Sequence, residues 1–369
     1  DRVLPFMMVM IFDENSNVKA LAIKTVAQLL LITEEVNRSN ANIFIDYILP
    51  RLNRLCQSAQ ADSYVSIVLA NTLGHFANTA IRFHEISYLL SFQSSNPAEV
   101  NRLHKVGKKL LRQFEEITTS LLTAPEPQVK EALLHNILPI CHLFGKERTN
   151  DVILSHLITY LNDKNVALRI ALIKSITGVS VLLGSVTFEQ YILPLLAQTL
   201  CDLEETVVIT VLQSLISFCK LGLLRSKYFY DIATEVSTLI LHPNFWIREY
   251  TILLIIEMAS KLSKSELYCV MYPVIKPFFE FDVEMTWESL YISAKKPISR
   301  NVYNLLCTWS LRSSKSLFWK HMPGKEVNSF GNNTIEFITK QHSAKNYGFQ
   351  TNLKNSKTNI TSVTNMDIP

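Results

Sequence analysis

Apolar residues recur at helical spacing in the centre of the chain. Four of them follow the i, i+3, i+4, i+7 spacing of one helix face: Leu154, Leu157, Ile158 and Leu161. Residues 166–183 are apolar on nearly every side, and such a helix needs neighbours on more than one side. The pattern therefore predicts helices over 128–144, 152–161 and 166–183, with a polar turn over 145–151. Together they form one unit that must stack on similar units.

One signature recurs where second helices begin: a polar turn, an aliphatic residue and then often a basic residue. The pairs are Val18-Lys19, Val129-Lys130, Leu168-Arg169, Val208-Ile209 and Ile247-Arg248. From Val129 onward, the aliphatic residues are 39, 40 and 39 positions apart. Helix pairs with this period are typical of HEAT or armadillo repeats, and two helices per period with Asp or Asn in the turn favour HEAT. The predicted fold class is all-α, an α-solenoid of about seven HEAT-type helix pairs.

The same pattern predicts the remaining helices. Before the central unit they cover 4–12, 18–32, 42–56, 63–80 and 99–123, and after it 188–201, 204–221, 227–241, 245–262, 265–279 and 299–312. Pro50 is expected to bend its helix. Residues 81–98 are ambiguous and include a loop over 91–97, and residues 283–294 are expected to be an irregular insertion.

The helical pattern stops at Ser313, which gives two predicted domains. Residues 1–312 form the HEAT array, and residues 313–369 form an extended or partly disordered basic linker. The linker holds seven Lys and three acidic residues, so it accounts for the whole formal net charge of +4. The helical body is balanced in charge, which argues against a general nucleic-acid binder.

Composition and motifs indicate that this segment is not an enzyme. Only 9 Gly argue against a Rossmann fold or a P-loop, and no uninterrupted apolar run reaches the ~18 residues of a membrane span. The six Cys form no C-x-x-C pair and are expected to be mostly buried free thiols. A zinc site from His135, His142 and His156 lacks ligand-pair spacing. Neither a cofactor nor a metal is predicted.

Two polar turns are candidate partner-binding sites. The turn over 145–151 concentrates charge in Lys146, Arg148 and Asp151. The second candidate turn carries Trp246 and Arg248, and Trp and Arg dominate binding hot spots. Packing of Trp246 into a groove between repeats is the structural alternative.

Several long strings carry a family resemblance. The run from Phe144 to Lys164 resembles the central helical region of the kinase-like regulatory subunit of the class III (vacuolar protein sorting) phosphatidylinositol 3-kinase complex. Further matching strings are residues 47–52, 189–195, 241–248, 276–282, 315–320 and 329–333. The resemblance covers nearly the whole chain and is strongest to fungal members.

The resemblance implies a non-catalytic scaffold segment that helps to assemble and regulate the lipid kinase for vacuolar sorting and autophagy. Its implied partners are the lipid-kinase catalytic subunit, the coiled-coil subunits of the complex, and the chain's own kinase-like and WD40 domains. The implied location is cytoplasmic, peripheral on endosomal, Golgi and autophagic membranes through the complex, without nucleic acid. Because the chain begins with Asp1 and not Met, we expect a piece of a longer protein.

Two other functions stay open at this stage. One is a HEAT adaptor of another transport or phosphatase complex that holds a peptide in its concave groove. Its candidate ladder is the basic series Lys19, Lys130, Arg169 and Arg248, which is interrupted at Ile209. The other is an unrecognised enzyme, which would require His135, His142 and His156 to converge on a pocket.

Overall fold

The computed structural model describes residues 3–33, 42–58, 62–92 and 97–313, and these residues are almost entirely helical. An isolated antiparallel bridge joins Phe279 and Ala294, and the described ranges contain no extended strand. The all-α prediction is confirmed. The chain divides into two compact units, residues 1–296 and residues 297–369. The domain boundary at residue 312 and the disordered tail stay predictions, since residues 314–369 lie outside the described part.

The helices of the first unit range from 3 to 30 residues in length. In chain order they are α1 (Val3–Met10), α2 (Ser16–Ile32), α3 (Leu49–Ser58), α4 (Ser63–Phe92), α5 (Pro97–Leu122), α6 (Pro127–His135), α7 (Leu138–Arg148), α8 (Ser155–Tyr160), α9 (Val166–Leu183), α10 (Ser185–Thr187), α11 (Leu193–Thr199), α12 (Glu205–Lys220), α13 (Phe229–Ser237), α14 (Phe245–Lys261), α15 (Lys264–Glu266), α16 (Tyr272–Ile275) and α17 (Trp287–Ser293). In the second unit the described helix is α18 (Arg300–Ser313).

Turns of other helix types connect several of these elements. The π-helical turns are Phe44–Ile48, Thr149–Leu154, Phe188–Ile192 and Leu267–Met271, and the 3₁₀ turns are Ser226–Tyr228, Thr238–Leu241 and Lys276–Phe278. Each π turn leads directly into the α-helix that follows it. The π turns therefore belong to helices that continue through them.

The first unit is a solenoid in which neighbouring repeats stack. The second helices of successive repeats pack in chain order: α2 on α4, α4 on α6, α6 on α9, α9 on α12 and α12 on α14. The first helices form the other layer, where α3 packs on α5 and α13 on α16. One continuous cluster of buried apolar side chains runs from Met8 to Leu290. The repeat number of about seven stays a prediction.

The recurring aliphatic residue marks the register of the stack. Val129, Leu168, Val208 and Ile247 each lie in the first turns of their helices and are at most 4% exposed. A polar side chain caps several of these helices, because the first N–H groups of a helix lack partners within it. Asn165 Oδ1 accepts from Ala167 N at 2.9 Å, and Asn244 Oδ1 accepts from Trp246 N at 2.9 Å.

The central unit differs from its prediction at two places. The single helix predicted over 128–144 is wrong, because the chain leaves helical geometry at Asn136 (φ −128°, ψ 36°) between α6 and α7. Pro139 follows and has no N–H to continue the ladder. The amide of Asn136 donates to the carbonyl of Asn71 at 3.1 Å, which ties this break to α4.

The polar turn predicted over 145–151 is also wrong. The chain reverses at Gly145 alone, where φ is +71°, and helical structure resumes at Lys146. Glycine has no Cβ and adopts positive φ at little cost, so one residue suffices where seven polar residues were expected to form the turn. Thr149 is fully buried and donates to the carbonyl of Cys141 at 3.1 Å.

The expected bend at Pro50 takes the form of a π turn. The N–H of Leu49, directly before Pro50, bonds to Phe44 five residues back. The same arrangement precedes Pro194 and Pro273, with bonds from Leu193 to Phe188 and from Tyr272 to Leu267. Because proline cannot donate and its ring crowds the preceding turn, a wider turn accommodates it inside a continuing helix.

Two further segments differ from the sequence reading. Helix α4 continues to Phe92, so the ambiguous residues 81–92 are helical, and α5 begins at Pro97. The loop predicted over 91–97 is therefore wrong at both ends, and its residues 93–96 lie outside the described residues. The irregular insertion predicted over 283–294 contains helix α17, which Thr286 caps through its side chain.

Helix α9 is long and apolar enough to cross a membrane, the one such case among the described residues. It packs against α6, α7 and α12. Its first turn carries Arg169, which pairs with Asp202 at 2.9 Å. Its apolar character therefore matches a position between two repeats.

Candidate interaction surfaces

The charged candidates of the predicted central turn lie where α7 ends and the next repeat begins. Lys146 is exposed beside Gly184: its Nζ would be 3.7 Å from a Cβ placed on that glycine. Arg148 Nη1 lies 2.9 Å from Glu115 Oε2 on α5, so much of its charge serves a contact between repeats. Asp151 is exposed in a π turn.

Arg148 also borders a polar groove of about 710 Å³ along α5. The groove is lined by Lys108, Arg112, Glu115, Glu116, Thr119, Ser120, Thr123 and Arg148. Arg112 pairs with Glu116 at 3.4 Å, and Arg148 pairs with Glu115. Most of its charged side chains are paired with one another. The groove therefore has mixed polarity and does not favour one class of ligand.

A charged network at the next repeat was not found from the sequence. Glu189, 8% exposed, lies 2.8 Å from Arg225 Nε and 2.9 Å from Lys227 Nζ. Tyr228 donates to the same carboxylate at 3.2 Å. The hydrogen bond to Glu189 raises the pKa of Lys227. These residues are about 40 positions apart, so this network joins two successive repeats.

Three of the four residues of the basic ladder serve contacts within the stack. Arg169 pairs with Asp202 of the next repeat, and its Nη1 donates to the carbonyl of Asp163 at 2.8 Å. Arg248 donates to the carbonyls of His242 at 2.9 Å and Pro243 at 3.1 Å. Lys130 Nζ lies 5.2 Å from the ring centre of Tyr160. Arg248 is therefore a turn-stabilising residue and less available to a partner than predicted.

Trp246 is exposed, unlike most aromatic residues of the stack. Its side chain is 55% exposed, and its ring meets Phe245 at 5.4 Å in an edge arrangement. Phe245 contacts Tyr291 at 6.1 Å, and Tyr291 stacks on Trp287 at 5.0 Å with an angle of 8°. The surface formed by Phe245, Trp246, Trp287 and Tyr291 is called the aromatic surface below.

The structure separates the five candidate residues into two groups. Lys146, Arg148 and Asp151 lie at the end of α7 and in the π turn after it. Trp246 and Arg248 lie in the first turn of α14. The two groups therefore belong to different repeats. Sequence reading missed Trp287 and Tyr291 because it treated their segment as irregular.

The His residues considered for metal binding do not come together. Within the described ranges, no three His, Cys, Asp or Glu side chains form a group that could hold a metal ion. His135 Nε2 lies 3.8 Å from Glu131 on its own helix. The geometry thus provides no support for the enzyme alternative.

The cysteines divide into buried and exposed groups. Cys56, Cys141 and Cys219 are buried free thiols, as expected, but Cys201 and Cys269 are exposed. Burial raises the pKa of Cys141 to about 12 and that of Cys219 to about 11. Only a thiolate reacts readily with alkylating agents, so these two residues are protected by protonation as well as by burial.

We predict that iodoacetamide at pH 8 modifies Cys269 well before Cys141 or Cys219. The measurement is peptide mass spectrometry of the folded chain over time. Cys269→Ser should remove the modification at residue 269 and leave the rates at Cys141 and Cys219 unchanged. Early modification of Cys141 would contradict the buried, protonated state.

The fold and the contacts between repeats define a class: a HEAT-type α-solenoid whose charged residues largely join one repeat to the next. Residues 1–307 match the family described as "PIK3R4-like, middle domain". The chain belongs to the PIK3R4-like family, and the resemblance inferred from the sequence is confirmed.

Relatives from several yeasts match over the whole chain or nearly so. A Saccharomyces cerevisiae protein named "Serine/threonine-protein kinase VPS15" is 51% identical over 383 residues, covering 100% of this chain and 26% of that protein. A Candida glabrata protein named "non-specific serine/threonine protein kinase" is 45% identical, with 100% and 26% covered. The chain thus spans about a quarter of the length of these relatives. The crystal structure of Cex1p resembles 74% of this chain and 48% of its own, with 17% identity and a TM-score of 0.48.

Proposed function

We propose that this segment is a non-catalytic scaffold within the regulatory subunit of a class III phosphatidylinositol 3-kinase complex. It helps to assemble and regulate the lipid kinase in endosomal and vacuolar sorting and in autophagy. The observation that carries the proposal is the match of residues 1–307 to the PIK3R4-like middle domain. The stacked repeats support it, since a solenoid presents extended surfaces for several partners.

The proposed partners follow from the family. They are the lipid-kinase catalytic subunit, the coiled-coil subunits, and the kinase-like and WD40 domains of the longer protein. The proposed location is cytoplasmic and peripheral on endosomal, Golgi or autophagic membranes. Contacts between repeats, such as Glu189 with Arg225, support a defined spacing between binding surfaces.

The alternative of a peptide-holding HEAT adaptor has less support. A regular ladder of free side chains in the groove would favour it. Here the basic ladder is used internally: Arg169 binds Asp202, and Arg248 binds two backbone carbonyls. These contacts reduce its capacity to bind a peptide backbone.

The scaffold proposal is tested in the full-length protein. Residues 1–296 are replaced by a flexible linker, and co-purification of the lipid-kinase catalytic subunit and lipid phosphorylation on phosphatidylinositol vesicles are measured. We expect both to fall at least tenfold, because a flexible chain does not hold its flanking domains at a fixed distance. Proteolysis of the flanking domains checks that they remain folded. Unchanged assembly and activity would refute the scaffold role.

A further inference from the structure

The aromatic surface is a row of contacting rings at the start of α14 and on α17, in which Tyr291 is half-buried and the other three rings are exposed. Successive ring centres are 5.4, 6.1 and 5.0 Å apart from Trp246 through Phe245 and Tyr291 to Trp287. Phe245 is 42% exposed, Trp246 55% and Trp287 38%. Large aromatic side chains such as Trp and Phe normally bury most of their surface. A row of exposed rings therefore marks an interaction site.

The contacts among the rings make this surface rigid. Tyr291 stacks on Trp287 and also meets Phe245 edge-on, so each ring limits the rotation of the next. Asn244 caps α14 at Trp246, and Thr286 caps α17 just before Trp287. A preorganised aromatic surface loses little side-chain entropy when a partner binds.

Acidic residues predominate in the segment that carries Trp287 and Tyr291. Residues 279–292 contain four acidic residues and no Lys or Arg. Asp282 is paired with Lys276 at 2.8 Å, which leaves Glu280, Glu284 and Glu288 exposed. Two cations border this region: the guanidinium of Arg248 lies 5.9 Å from the ring centre of Phe245 while it donates to carbonyls of its own turn, and Lys296 is exposed. Lys295 donates to the carbonyl of Pro277 at 2.6 Å. A partner with positive charge is therefore favoured on and just before α17, where Glu284 and Glu288 are exposed.

The donors on the surface suit a peptide with free carbonyl groups. The exposed indoles of Trp246 and Trp287 each carry one N–H donor. A polyproline II helix has no internal hydrogen bonds, so its carbonyls remain available. Two residues of a polyproline II helix span about 6 Å along its axis, which is close to the distance between successive ring centres. Proline-rich segments dock on aromatic surfaces of this kind because their conformation is already ordered.

We propose that the aromatic surface binds a proline-rich segment in polyproline II conformation that carries Arg or Lys. Prolines pack between the rings, the two indole N–H groups donate to peptide carbonyls, and Glu284 and Glu288 attract the basic side chains. This goes beyond the scaffold role and rests on the surface itself, so it can fail or succeed independently of that role.

The test is a binding measurement with the full 369-residue chain. The probe is a short fluorescein-labelled peptide of alternating Pro and Leu with Arg at both ends, followed by fluorescence anisotropy. We expect saturable binding that weakens as salt increases. Trp246→Ala and Trp287→Ala should each weaken binding about tenfold or more, as expected for aromatic anchors.

Matched controls separate this site from general stickiness. Tyr191→Ala removes another exposed aromatic residue, 52% exposed and in a different repeat, and should leave binding unchanged. The double variant Glu284→Lys and Glu288→Lys keeps the rings and should weaken binding about threefold to tenfold. Circular dichroism verifies that each variant is folded. If Trp287→Ala unfolds, Trp246→Ala still tests the proposal, because the side chain of Trp246 is largely exposed.

Two control peptides test the partner's chemistry. Replacing Pro with Gly and Ser should abolish most binding, and replacing Arg with Glu should weaken it. The proposal is overturned if the labelled peptide does not bind at about 1 mM or if the Gly-Ser peptide binds equally well. It is also overturned if an amphipathic helical peptide binds more tightly, or if neither Trp variant changes the affinity.

Discussion

Asp202→Ala is expected to lower the free energy of unfolding by about 3 kcal/mol or more, because it leaves a nearly buried guanidinium without its partner. Arg169 and Asp202 are only 11% and 13% exposed, and two pairs of their atoms lie 2.9 Å apart. Asp202 also accepts the N–H of Glu204 at 2.8 Å, so its removal weakens the turn that begins α12. Urea unfolding followed by circular dichroism measures the effect.

An exposed ion pair provides the control for this prediction. Lys109 and Asp46 are 59% and 64% exposed and 3.5 Å apart, so Asp46→Ala should cost less than about 1 kcal/mol. The double variant Arg169→Met and Asp202→Leu removes both charges and should recover much of the loss, since no charge is left unpaired. Equal effects of Asp202→Ala and Asp46→Ala would show that the buried pair does not join the repeats as described.

Gly74→Ala is expected to destabilise the chain by about 1–3 kcal/mol, although alanine normally favours a helix. A Cβ on Gly74 would lie 2.3 Å from the backbone oxygen of Asn136, and a backbone atom cannot rotate away. Helix α4 would have to move from the break between α6 and α7. Thermal unfolding measures the loss.

Gly178→Ala is the matched control, because the atoms nearest to its Cβ would belong to the side chain of Leu138, at 2.7 Å and beyond. A leucine can change rotamer at modest cost, so this variant should be destabilised clearly less than Gly74→Ala. If the two variants were equally stable, close backbone approach at Gly74 would not limit the packing of α4.

Much of the stack was predictable because it depends on periodic apolar residues. Leu168 and Ile247 were located by spacing alone, and both are fully buried in the first turns of their helices. The turn at Gly145 was not, since a polar sequence does not reveal whether a reversal takes one residue or seven. Its positive φ is a property of the folded backbone.

The candidate surfaces were predictable only in part. Trp246 was identified from its residue type and its place at a turn, and it is exposed. Its neighbours Trp287 and Tyr291 are more than 40 positions away, and only the packing of α17 on α14 brings them together. Arg248 has the composition of a binding residue, but the carbonyls of its own turn occupy its guanidinium. Long-range contacts of this kind leave no local pattern.

The π turns before Pro50, Pro194 and Pro273 have a consequence for how repeats of this kind change length. A π turn holds one residue more than the α-helical turn it replaces, so it acts as a single-residue insertion absorbed inside a helix. Losing that residue would rotate everything downstream by about 100° and expose the face that Leu52 or Leu196 now buries. These three helices must therefore keep their length to the residue.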